Sequence, residues 1–130
     1  MGIENELDEE TKIFLIEGYE NLEKIERELL SFEKNPTDTV LLDSIFRAMH
    51  TIKGNSGFFS FQKLGSLCHK GETLLDKIRD GGYTLTPDIV STLLSLVDAV
   101  RTILTEIESS GVEPEKCYEE LEAELNSFVS

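Results

Sequence analysis

From Leu15 to Phe32 apolar side chains recur every third or fourth residue, at Leu15, Tyr19, Leu22, Ile25, Leu29 and Phe32, and glutamates fill the positions opposite. That spacing makes one face of an α-helix apolar and leaves the other charged. The same period returns in four further segments, and no stretch alternates with the period of two that a strand needs. The chain is therefore expected to be all-α. Helix one spans about residues 9–33, starting near Asp8 and stopped by Asn35 and Pro36. Helix two, about 39–56, turns Leu42, Ile45, Phe46, Met49 and Ile52 inward. Helix three, about 60–80, does so with Phe61, Leu64, Leu67, Cys68, Leu74, Leu75 and Ile78. Helix four covers about 87–109, and a shorter fifth, about 114–128, repeats Tyr118, Leu121, Leu125 and Phe128.

The punctuation between these segments is local and readable. Thr86, Pro87 and Asp88 supply a cap, a proline at the first helical position and an acid in the first turn, and Gly111 closes the same helix. Ser60 is expected to cap helix three, with Phe59 stapled onto Leu64, and Gly81 and Gly82 to end it after Arg79. Helices joined by a few residues must lie side by side and antiparallel. The expected architecture is an up-and-down antiparallel four-helix bundle with a fifth, C-terminal helix packed outside.

A chain of 130 residues suits one domain and is too short to hold a separate nucleotide-binding domain as well. Its net charge of −14 lies mostly at the ends: 11 acidic against 4 basic residues over 1–35, 9 against 7 over 36–111, and 6 against 1 over 112–130. Such a surface repels nucleic acid and anionic membranes, and no basic stripe interleaved with aromatics offsets it. No apolar run approaches the roughly 18 residues of a membrane span, and MGIENELDEE is the reverse of a basic signal-peptide start, so a cytoplasmic location is expected. Cys68 and Cys117 lack C-x-x-C spacing, and Cys68 reads as a reduced core residue.

The near-neutral middle segment holds the chemistry. In AMHTIKGNSGFF, His50, Lys53 and Gly54 stand at i, i+3 and i+4 and share one helical patch. A neutral imidazole is a nitrogen nucleophile near neutral pH that can keep its other nitrogen in a hydrogen bond. A lysine one turn away offers its ammonium to phosphoryl oxygens. On an ideal wheel His50 lies about 100° from the centre of the buried face, a flank position. Phe46, His50, Gly54 and Gly57 form a ridge along helix two. Interior glycines cost a helix about 0.8–1 kcal/mol each relative to alanine. Close helix packing or close approach of a partner would justify that cost, and Gly57 reads equally as a helix C-terminal signal. Counting from the turn at 1.5 Å per residue brings Glu72 on helix three to the height of His50 within about a turn.

The run FRAMHTIKGNSGFF, with LCHKGETLLDKIRDG after it, resembles the histidine-containing phosphotransfer (Hpt) domains, of the kind found at the N-terminus of the chemotaxis histidine kinase CheA. The likeness covers about residues 9–128. It implies that His50 is the phosphorylated histidine, that Lys53 and Gly54 are its flanking lysine and small residue, and that His69 and Glu72 form a supporting pair. It also implies that Glu72 takes the Nδ1 hydrogen bond and leaves Nε2 as the attacking atom. Gly54 is followed here by Asn55, where many such domains have a second small residue.

On this reading the domain is a phosphoryl carrier and no enzyme on its own, cut from a longer histidine kinase. Its partners are a kinase catalytic domain and response-regulator receiver domains. It needs no cofactor, ATP and Mg²⁺ belonging to those partners. Phe46, Gly54 and Gly57 are the expected docking residues. A glycine-rich nucleotide loop is excluded because the Gly54–Gly57 stretch lacks both the spacing and a preceding strand. A metal site from His50, Cys68, His69 and Glu72 is disfavoured because Cys68 and His69 face about 100° apart on one helix. Two alternatives stay open: a relay domain between two receivers, and a helical interaction module whose histidine is incidental.

Overall fold

The computed structural model describes residues 7–81 and 84–129. Five helices account for most of them: α1 (Glu9–Lys34), α2 (Thr39–Phe58), α3 (Gln62–Arg79), α4 (Pro87–Ser110) and α5 (Glu119–Ser127). Among the described residues there is no strand. The first four close a ring, α1 against α2 and α4, and α3 against the same two, while α5 lies on α3 and α4 from outside. Cross-links that run in opposite directions along α1 and α4 fit antiparallel neighbours. Tyr19 in the first half of α1 donates to Glu108 Oε1 near the end of α4 at 3.0 Å, and Arg101 Nη2, nearer the middle of α4, donates to Glu26 Oε1 in the second half of α1 at 2.9 Å.

Two of the helix starts read from sequence carry side-chain caps. Asp8 accepts the Thr11 N–H at 2.7 Å, and Thr86 Oγ1 accepts the Ile89 N–H at 3.2 Å ahead of Pro87. Asp38 accepts the N–H groups of Val40 and Leu41, so α2 also begins on a side-chain cap. Gly111 closes α4 at φ +81° and Gly81 follows α3 at φ +82°, in the left-handed region where a side chain is strained. Gly82 lies outside the described residues. The inward stripes meet in one core in which Ile25, Ile45, Leu64, Leu74, Leu96 and Val100 are fully buried. Cys68 is buried among them, and burial first, then the nearby Glu72 charge, pushes its thiol up to about 12, while Cys117 is exposed.

Three boundaries differ from the sequence reading. First, α2 runs through Gly54 and Gly57 to Phe58, so Gly57 is helical and does not end the helix.

Second, Ser60 does not cap α3; it ends α2. Phe61 N–H donates to Ser56 C=O at 2.9 Å and Ser60 N–H to Gly57 C=O at 3.1 Å, the paired bonds of a Schellman turn with Ser60 in the left-handed position at φ +61°. The turn is held by aromatic packing: Phe59 and Phe61 set their rings 5.0 Å and 5.4 Å from that of Phe14. A non-glycine residue there costs about 1–2 kcal/mol, of which glycine's extra freedom in the unfolded chain returns part. Ser60→Gly is therefore expected to stabilise the domain by about 0.5–1 kcal/mol in urea denaturation.

Third, α5 starts at Glu119 and not near Pro114. The residues before it are committed to α3, where Glu113 Oε1 accepts the Leu64 N–H at 2.7 Å and the Glu115 carbonyl accepts from Lys63 Nζ at 2.7 Å. A carboxylate from 49 residues away thus replaces the missing local cap of α3.

Candidate functional site

His50 stands on the flank of α2 with 61% of its side chain exposed, facing Glu72 on α3, whose side chain is only 10% exposed. A carboxylate can only accept, so the short hydrogen bond between His50 Nδ1 and Glu72 Oε2 is donated by the imidazole. In the neutral ring the proton then sits on Nδ1, and Nε2 carries a free lone pair. Lys53 Nζ donates to the other oxygen, Glu72 Oε1, at 2.7 Å. Burial alone would raise the Glu72 carboxyl, but the hydrogen bonds from Lys53 and His50 and their charges outweigh it and hold Glu72 below the ordinary carboxylate value. It is a stable anion in a nearly closed position.

The structure therefore brings together four of the residues singled out in the sequence, His50, Lys53, Glu72 and Phe46, with one change of partner. Lys53 is spent on Glu72, where the spacing pointed it at an incoming phosphoryl group. Phe46, one turn before His50, lays its ring parallel to the imidazole, with centroids 6.2 Å apart and planes 8° apart. Gly54 and Gly57 meet nothing within 4 Å where a side chain would start, so they do not serve close packing inside the bundle. His69 stands apart. It is exposed, and its carbonyl accepts from Thr73 Oγ1 at 2.9 Å. Its ring lines a shallow cavity of about 190 Å³ beside Phe46 and Glu72 without hydrogen bonding to Glu72 or His50.

One contact was not legible in the sequence. Arg79, near the end of α3, places its guanidinium 3.9 Å from the centroid of the Phe46 ring. The i−4 aromatic before His50 was the only local signal, and nothing local connects it to a residue 33 positions on.

Residues 11–103 match the Hpt domain family. The chain belongs to that family. Among curated relatives, this Hpt domain is 39% identical over 107 residues to the sensor histidine kinase CheAY of Helicobacter pylori, an alignment covering 82% of this chain and 13% of the relative. It is 37% identical over 99 residues to the chemotaxis protein CheA of Bacillus subtilis, covering 76% and 15%. The chain thus spans well under a fifth of the length of these relatives.

Among solved structures, the phosphorylated P1 domain of CheA3 in complex with CheY6 from R. sphaeroides superposes with a TM-score of 0.85 at 30% identity, covering 92% of this chain and 94% of that one. The CheA phosphotransferase domain from Thermotoga maritima gives 0.72 at 35% identity, covering 75% and 92%. The Hpt domain described here is a phosphotransfer domain of the CheA type. Its helices are those of the P1 fold, and no helix among the described residues is long and apolar enough to cross a membrane.

Proposed function

We propose that this Hpt domain carries a phosphoryl group on Nε2 of His50, received from ATP on a histidine-kinase catalytic domain and passed to an aspartate of a response-regulator receiver domain. The observation that carries the reading is the polarity of the imidazole: Nδ1 tied to a buried carboxylate, and Nε2 left with its lone pair on a half-open helix flank. The Nε2 lone pair forms the N–P bond as the bond from the γ-phosphorus to the ADP oxygen breaks, and ADP leaves with that electron pair. The ring becomes cationic as it is phosphorylated, and the Glu72 carboxylate on Nδ1–H stabilises that charge. Lys53 keeps Glu72 ionised by occupying its second oxygen. In the transfer step the receiver aspartate attacks the same phosphorus and the imidazole leaves as the neutral ring.

The open ground over Gly54 and Gly57 gives a receiver room to bring its aspartate to Nε2. The R. sphaeroides relative, a phosphorylated P1 domain in complex with CheY6, supports a receiver of that kind as acceptor. ATP and Mg²⁺ belong to the partner domains, the parent protein is a cytoplasmic histidine kinase, and this domain by itself is substrate and carrier. Incubation with a CheA-type kinase core and labelled ATP is expected to label the domain, with loss of the label in His50→Gln and movement of the label to a receiver when one is added. Label arriving only from a phosphorylated receiver would replace this reading with a relay between receivers. No label from either source would leave only a helical interaction module.

A further inference from the structure

The hydrogen bond to Glu72 fixes one edge of the His50 ring but not its plane. A ring on a side chain 61% exposed, held by a single hydrogen bond, can pivot about that bond, swinging Nε2 through a wide arc. A second restraint is needed if Nε2 is to point one way. Phe46 supplies it, lying parallel to the imidazole within 8° at 6.2 Å, inside the range in which aromatic pairs attract one another in an offset stack.

Phe46 is itself only half buried and stands on the flank of α2, so its own ring has to be held. The holder is the Arg79 guanidinium, 3.9 Å from the ring centroid, at the distance of a cation–π contact. That guanidinium is pinned from both helices. Its Nη1 donates to Asp43 Oδ1 on α2 at 3.3 Å and its Nη2 to Asp76 Oδ1 on α3 at 2.8 Å. The second Asp43 oxygen is occupied by Arg47 Nε at 2.9 Å. The planar fork of arginine allows one side chain to bridge two carboxylates while its face covers an aromatic ring.

We infer that Arg79 is a positioning residue for His50, acting through the Phe46 ring to set the plane of the imidazole and so the direction of Nε2. The inference rests on the reading of His50 as the phosphoryl acceptor. Arg79 hydrogen-bonds neither the histidine's nitrogens nor Glu72; both of its terminal nitrogens are engaged by aspartates, and its part is to keep the stack in place.

The test uses this domain with Arg79→Gln, Phe46→Leu and Phe46→Tyr, read in two ways. Long-range ¹H–¹⁵N spectra of the imidazoles report the tautomer and the exchange state of His50 without any partner. Phosphorylation by a CheA-type kinase core reports the rate, as kcat and KM for the domain. Arg79→Gln and Phe46→Leu are expected to broaden the His50 ring signals by exchange while Nδ1 keeps its proton, and to lower kcat by about three- to tenfold with KM unchanged, as lost orientation does. Phe46→Tyr, which keeps the aromatic face, is expected to stay within about twofold of the parent. Unfolding curves identify any variant that fails to fold. A folded Arg79→Gln with the parent's His50 spectrum and the parent's kcat overturns the inference, as does a change confined to KM. If the parent domain takes no label at all, the acceptor reading fails separately, and the exchange state of the His50 ring still decides whether Arg79 orients it.

Discussion

Replacing Glu72 with glutamine is expected to slow phosphorylation of His50 by about 10–100-fold while leaving the domain folded. Glutamine can still offer an oxygen to Nδ1–H, but it brings no negative charge to the ring as the ring turns cationic. Its amide nitrogen also has nothing to accept from Lys53, which the parent holds at 2.7 Å. The loss should therefore fall on kcat and spare KM, because Glu72 is nearly closed off from solvent and acts through Nδ1 of the ring.

The same substitution has a stability signature with a defined sign. Glu72 is held below its ordinary value of 4.5 in the folded domain, so its contribution is fully present near neutral pH and is lost as the pH falls through 4.5 and below. Urea denaturation is expected to show the parent more stable than Glu72→Gln by about 1–2 kcal/mol near neutrality, on the scale of charge-assisted hydrogen bonds. That gap should narrow in acid. A gap that widened in acid would mean that Glu72 is not held as an anion.

Two glycines are expected to respond in opposite directions to added bulk. A Cβ on Gly71 would stand 2.4 Å from Leu96 Cδ2 and 3.4 Å from Met49 Cε, both within the core that α3 shares with α2 and α4. The Leu96 methyl is the end of a flexible side chain, but Leu96 is fully buried and has little room to turn away. Gly71→Val is expected to cost about 2–3 kcal/mol, a fall in Tm of about 10 °C. Because Gly71 precedes Glu72, the displaced helix should also loosen the carboxylate from His50. Gly54 has open space where its side chain would be, so Gly54→Ala should stabilise by about 0.5–1 kcal/mol through helix propensity. Gly54→Leu should remain folded yet slow transfer to a receiver by about tenfold, as a steric block on a docking surface does. Thermal unfolding and transfer rates on the three variants check both halves.

These glycines also mark how far the sequence could be read. Gly54 stood out because an interior helical glycine beside a candidate nucleophile needs a reason, and the open space above it excludes close packing inside the bundle as that reason. Gly71 did not stand out, since its reason is the Leu96 side chain on another helix. Helix period, the caps at Asp8 and Thr86 and the stop at Gly111 are set by neighbours in the chain and were legible. The match in height of His50 and Glu72 followed from counting along two antiparallel helices joined by a tight turn. What escaped was decided across the bundle. Ser60 adopts a left-handed turn because Phe59 and Phe61 must both reach Phe14. The fifth helix starts late because Glu113 is taken by α3. Lys53 points at Glu72 in place of solvent because the carboxylate is buried within its reach.

The most direct test of the account is the position of phosphorus on the ring. ¹⁵N and ³¹P spectra of the phosphorylated domain, with the histidines labelled, are predicted to show an N–P bond at Nε2 of His50 and a retained, slowly exchanging proton on Nδ1. The label should be lost in acid and survive base. Phosphorus on Nδ1, on His69, or on a residue other than histidine would contradict it.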